Sequence, residues 1–135
     1  LGNDRLINDY LIKSHIRIKA LYFYLEHKDY PDVVREAQEV VELLLKALLR
    51  SVGAEIPRVH DVGRILEQYS DFFPDIIKND MENIKKISKE LRKERELCFY
   101  GAEDFIPLEE YTINDAEDAI KKAEFVFNIV KEALG

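Results

Sequence analysis

Arg95 is the side chain in this sequence whose position most invites chemistry. It stands four residues beyond Leu91, on a stripe of Ile77, Met81, Ile84, Ile87 and Leu91 that repeats at helical steps. That register predicts a guanidinium turned toward a seam between helices, where it needs a carboxylate, a carbonyl or a phosphate as partner. Lys85, Lys86, Lys89, Arg92 and Lys93 lead up to it, with Glu90 and Glu94 interleaved. In one reading these cations gather phosphate toward Arg95. In the other they are a solvated face of mixed charge, and Arg95 is a helix-end cation that suits the macrodipole. Glu42 and Lys46 stand four apart in the favourable order. They either support their own helix, by about 0.2–0.5 kcal/mol, or face the same cleft. His60 and Asp61 open a short helix, where a starting or packing role competes with acid–base chemistry.

Other chemistries find little support. The single cysteine, Cys98, rules out an intramolecular disulfide and a cysteine metal cage, and His15, His27 and His60 lie far apart. No glycine-rich phosphate loop, His-Glu-x-x-His run or nucleophile elbow occurs. Neither a metal nor a cofactor is expected. A net charge of −7 argues against a protein built for nonspecific binding of phosphate backbones, while leaving room for a local basic site.

The elements that must position these residues are helical. At 135 residues the chain has the length of one domain, and 47% hydrophobic residues suffice for a core. Ile7, Leu11, Ser14, Ile18, Leu21 and Leu25 alternate steps of four and three, predicting a helix over 3–27. Pro31 suits the first turn of a second helix, whose stripe is Val34, Ala37, Val41, Leu44 and Leu48, with Gly53 as its stop. A brief third helix is expected over 59–69, then a turn with Phe72 and Phe73 tucked under the bundle, then a fourth helix over 75–98. Residues 101–112 read as a loop anchored by Phe105, Ile106, Leu108 and Tyr111. Asn114 and Glu117 resemble a capping box for the last helix, along which Ala116, Ile120, Ala123, Phe127, Val130 and Leu134 fall in register. Tyr10, Tyr22, Phe23, Tyr24, Phe125 and Phe127 read as core or interface aromatics. The expectation is an all-α fold: a four-helix up-and-down bundle with a short extra helix between the second and fourth helical segments. No apolar run approaches the roughly 20 residues of a membrane span, and the start lacks the pattern of a secretory signal. A cytoplasmic protein with no membrane association is predicted.

Three local patterns carry a family resemblance. The first runs from Ala37-Gln38-Glu39 through Glu42 to Lys46-Ala47-Leu48-Leu49. The second runs from Gly53 through His60-Asp61-Val62 to Ile65-Leu66. The third is Arg95, then Tyr100-Gly101, then a last helix rich in alanine. In this order they resemble the HEPN domain (higher eukaryotes and prokaryotes nucleotide-binding) over almost the whole chain. The resemblance implies a four-helix bundle, frequent homodimers and a small nucleotidyltransferase as partner. It also implies either a module that binds a nucleotide or substrate, or a ribonuclease toxin of a toxin–antitoxin pair. Ribonuclease members pair an arginine with a histidine four to six residues on, and here Tyr100 stands where the shorter spacing would place the histidine. A phenol titrating near 10 does not replace a near-neutral imidazole in acid–base work at neutral pH. The resemblance therefore points to a noncatalytic nucleotide- or substrate-binding module, with Arg95, Tyr100, Arg92, Lys46 and Glu42 as candidate ligand-binding residues. An RNA-cleaving toxin that uses Arg95 and Tyr100 is the alternative.

Overall fold

A computed structural model describes residues 2–55, 62–100 and 107–135, with side chains described at 5–55, 62–94 and 109–135. Its helices in chain order are α1 (Gly2–Glu26), α2 (Tyr30–Ser51), α3 (Val62–Gln68), α4 (Asp75–Asn79), α5 (Met81–Tyr100), α6 (Pro107–Glu110) and α7 (Ile113–Leu134). A 3-10 turn over Ser70–Phe72 joins α3 to α4. No strand occurs among the described residues. The long helices α1, α2, α5 and α7 form the bundle.

Helix α2 lies at the centre. It packs against α1, α7, α5, α3 and α6, whereas α5 and α7 touch each other only slightly. Its stripe is accordingly far wider than one face: Val33, Ala37, Val40, Leu44, Leu45, Ala47, Leu48 and Leu49 are all fully buried. Removing leucine-sized side chains from water stabilises by roughly 1.5–3 kcal/mol each, so this helix anchors the whole core.

The turn from α1 to α2 is tight. Lys28 adopts a left-handed φ of 61°, and the N–H groups of Lys28 and Asp29 donate to the carbonyls of Leu25 and Tyr24 at 3.1 and 2.9 Å. Asp29 then caps α2 by accepting from the Asp32 N–H, and Pro31 occupies the first turn. At the other end Gly53 turns the chain with a φ of 73°, a conformation glycine adopts without steric cost. The arrangement is antiparallel at α7 also: Tyr22 of α1 meets Glu124, whereas the earlier His15 meets the later Phe127.

The expected stripes face the core on α1, α2, α5 and α7, buried except for Leu11, Leu25 and Leu134, which are half-buried against it. Elsewhere the structure corrects the reading. The fourth segment is two helices, broken at Asp80, whose N–H donates back to the Ile77 carbonyl at 3.2 Å. More than one short helix therefore joins the bundle, because α6 also falls within the stretch read as loop. The cap of α7 is Thr112 with Asp115, not Asn114 with Glu117. The Thr112 hydroxyl accepts from the Asp115 N–H, and the Asp115 carboxylate accepts from the Thr112 N–H. A hydroxyl and a carboxylate three residues apart were already present two positions upstream. Phe73 is buried, but Phe72 is 71% exposed because the 3-10 turn aims it outward. His60, Asp61, Phe105 and Ile106, and the side chain of Leu108, lie outside the described residues.

Two measurements test this framework. Leu48→Ala should cost about 2–5 kcal/mol in chemical denaturation, since it opens a cavity at the most enclosed helix. The second concerns Asp29, whose pKa is pushed up to about 6 by burial and by hydrogen bonding to, and repulsion from, Asp32, against the pull of the Asp32 N–H and Arg35. A carboxyl with a raised folded pKa binds its proton more tightly in the folded state, so its contribution is largest at acid pH and is lost as pH rises through about 6. Asp29→Asn keeps a capping oxygen and removes the charge. Its melting temperature should match or exceed the parent's at pH 7.5, by no more than about 1 kcal/mol in stability, and the difference should shrink toward pH 5.

Candidate functional site

A cleft of about 350 Å³ opens between α5 and α7 above Val34 of α2. Glu90, Leu91 and Glu94 line it from α5, Glu110 from α6, and Asp115, Asp118, Ala119 and Lys122 from α7, with Tyr111 at the joint. The sequence puts these groups together for local reasons. Leu91 and Ala119 hold the apolar floor, while Glu90 and Asp118 adjoin them in sequence and Glu94 and Lys122 sit one turn further on.

The polar groups of this cleft are largely committed to one another. Lys122 bridges Glu90 at 2.7 Å and Asp118 at 2.8 Å. Burial works against its charge, but the hydrogen bonds and charges of Asp118 and Glu90 outweigh that and raise its pKa. A lysine so held contributes its stabilisation at all pH below the ordinary lysine range and loses it only as pH rises through the raised value. Tyr111 is buried and donates its hydroxyl to a Glu94 carboxylate oxygen at 2.9 Å and the Glu94 carbonyl at 3.2 Å. Asp115 serves the cap of α7. Among the described residues that line it, five carboxylates stand against one lysine. Its chemistry is that of a polar lock between two helices that otherwise touch little.

Of the candidate residues whose side chains are described, Arg92, Glu42 and Lys46 do not line that cleft. Arg92 is half-buried on α5 and engaged by a partner. Glu42 and Lys46 are half-buried one turn apart on α2, in a polar stripe with Arg35, Glu39 and Arg50. They do not form the pair expected of their spacing: no ion pair within 4.0 Å joins them among the described residues. A gain of a few tenths of a kcal/mol is too small to hold two long side chains in one geometry. One turn before Glu42, Gln38 is 2% exposed, and its Oε1 has no hydrogen-bond partner among the described residues. Arg95 and Tyr100 belong to the last turns of α5, with side chains outside the described residues.

The basic stretch of α5 divides. Lys85 is tied to Glu67 of α3 at 3.0 Å and to Glu82 at 3.5 Å, and Lys86 lies 3.9 Å from Glu90. These lysines behave as a mixed-charge surface. Sequence reasoning missed Tyr111 and Lys122 as organisers of the cleft. The signal for Lys122 was present in Asp118 four residues earlier, but the Glu90 contact joins two helices far apart in sequence. Among the described residues, no group of three or more His, Cys, Asp or Glu side chains is placed to hold a metal ion, and no helix is long and apolar enough to cross a membrane.

Comparison with known proteins now bears on these elements. The HEPN domain family matches residues 7–133, from the second turn of α1 to the last turn of α7. The chain belongs to the HEPN domain family. A protein of Methanocaldococcus jannaschii called "Putative toxin MJ1304" is similar to this HEPN domain, with 32% identity over 116 residues, covering 82% of this chain and 76% of that protein. No solved structure matches the chain.

The lock between α5 and α7 generates a test. Tyr111→Phe removes the hydroxyl that holds Glu94 and should cost about 1–2 kcal/mol, as expected for a hydrogen bond to a charged group. Denaturation at pH 7 reads it, and unchanged stability would remove Tyr111 from the lock.

Proposed function

We propose that this HEPN domain is the toxin-type member of a two-protein pair and that it engages phosphate of a nucleotide or RNA near the end of α5. Arg95 is the anchoring cation in this reading, with Arg92 and Tyr100 on the same helix and Glu42 and Lys46 as further candidates on α2. A small nucleotidyltransferase is its partner. The observation that carries the reading is the family match along residues 7–133, joined to a relative that is called a toxin. Binding rather than cleavage is proposed, because the histidine that ribonuclease members of the family pair with their arginine is replaced by Tyr100.

The relative's name favours one second reading, an RNA-cleaving toxin in which Arg95 and Tyr100 form a divergent site. An arginine can still stabilise the charge that develops on a transferring phosphoryl group, but a proton acceptor would have to be found besides the phenol.

Calorimetric titration of the full chain with ATP, AMP and a short RNA separates these readings, with Arg95→Ala as control and circular dichroism to verify its folding. Binding that weakens at least about tenfold in the variant, a loss of about 1.4 kcal/mol, supports the phosphate site. Binding that Arg95→Ala leaves untouched, or no binding to any of the three, overturns it. RNA cleavage by the parent that vanishes in Arg95→Ala selects the second reading.

A further inference from the structure

Acidic residues are spread through this chain, 27 in 135, yet none falls between Tyr10 and Leu25. That is the longest stretch free of Asp and Glu, and it lies wholly within α1. Lys13, Arg17 and Lys19 stand in it, all exposed. Elsewhere Arg35, Lys85, Lys86 and Lys122 are met by nearby carboxylates. Arg17 and Lys19 have no ion pair among the described residues, and Lys13 has only the exposed Asp9, 3.2 Å away. A chain of net charge −7 thus presents one helix face that is basic.

The middle of that face is apolar. Ile12, Ile16 and Phe23 are 52%, 58% and 57% exposed, on the side of α1 away from the buried Ile7, Ser14 and Leu21. At 3.6 residues per turn the three exposed side chains leave the helix within about 40° of one another and run along roughly 16 Å of it. The same geometry sets Lys19 on one flank of this line and Lys13 and Arg17 on the other. Phe23 is held in place, since the His27 ring stacks on it at 4.3 Å and His27 Nδ1 lies 2.9 Å from the Phe23 carbonyl oxygen. Contiguous exposed apolar side chains with a polar rim mark an interaction surface, and a fixed aromatic ring loses little freedom on being covered.

We propose that this face of α1 docks an acidic amphipathic helix of another protein. The apolar side chains of that helix cover Ile12, Ile16 and Phe23, and its carboxylates meet Lys13, Arg17 and Lys19. Charge selects the acid, because three cations without acidic neighbours are satisfied only from outside. The backbone selects the helix. The peptide groups of α1 are used within α1, so an extended segment finds no main-chain partners there, whereas a helix laid alongside interdigitates its side chains with the line. A second copy of this chain would bring the same cations to the face. An anionic membrane would meet Asp9 and Glu26 at the two ends of the line, both exposed. A nucleic acid backbone gains nothing from two isoleucines and a phenyl ring between the cations. This docking uses no residue of α5 and stands apart from the phosphate reading.

Two synthetic helical peptides of about 20 residues test it. Both carry leucines at steps of three and four; one is flanked by glutamates and the other by lysines. In fluorescence anisotropy with the full chain the glutamate peptide should bind and the lysine peptide should not. Ile16→Ser should weaken binding at least about tenfold, a loss of about 1.4 kcal/mol. Arg17→Glu combined with Lys19→Glu should reverse the preference toward the lysine peptide, with circular dichroism confirming unchanged helical content in each variant. No binding of the glutamate peptide, equal binding of the two peptides, or variants without effect overturns the proposal. Phosphatidylserine vesicles, a short RNA and sedimentation of the chain alone complete the test. Vesicle or RNA binding, or self-association, that is lost in Ile16→Ser would assign the face to lipid, RNA or a second copy and overturn it as well.

Discussion

The structure depends on the burial of α2. A single helix that is apolar around most of its circumference cannot lie on a surface, so its neighbours must enclose it. Helices α1, α7 and α5 do so, with α3 and α6 closing its ends. Between Pro31 and Arg50 only the line of Asp32, Arg35, Glu36, Glu39, Glu42, Leu43, Lys46 and Arg50 reaches solvent, and these residues are half-buried. Because α1, α5 and α7 each rest on α2, the geometry between them follows from how they seat on that helix. The acidic cleft is a consequence: α5 and α7 both lean on Val34 but scarcely touch one another, so a gap opens above it.

That gap explains the use of charge in this part of the molecule. Two helices that lack a shared apolar seam are joined by side chains that reach across it. Lys122 serves carboxylates from both helices, and Tyr111 reaches Glu94 from the short joint before α7. Partly buried contacts of this kind are worth more than exposed pairs because solvent screens them less. They also consume the groups that might otherwise bind a ligand. Glu90, Glu94, Asp115 and Asp118 on the α5–α7 side are all engaged in this way.

Helix α1 shows how a single period can serve two surfaces. Its core side was legible from the steps of Ile7, Ser14 and Leu21, together with Leu11, Ile18 and Leu25. The opposite side carries Ile12, Ile16 and Phe23, all exposed, among charged residues. Tyr22 and Phe23, read among core or interface aromatics, are exposed, whereas Phe127 of the same group is buried. An aromatic residue on a helix that is apolar on both sides carries no label saying which side faces the bundle. Capping was misplaced for a related reason. Asn114 and Thr112 both head plausible boxes, and the choice falls to the residue at which α7 must begin in order to set Ala116, Ile120 and Ala123 against α2.

The sequence by itself determined the helical class, the core stripes and the family, because these rest on periodicity and local order that survive without knowledge of neighbours. It also marked Arg95 by register and Tyr100 by its place in the family pattern. Only the tertiary structure decided that α2 is central, that Glu42 and Lys46 do not pair, and that Glu90, Glu94, Tyr111 and Lys122 form one acidic lock. The physical reason is range. A helix repeats every few residues and can be read from its own stretch, whereas a contact between Glu90 and Lys122 is set by two helices that meet only through their common seat on a third.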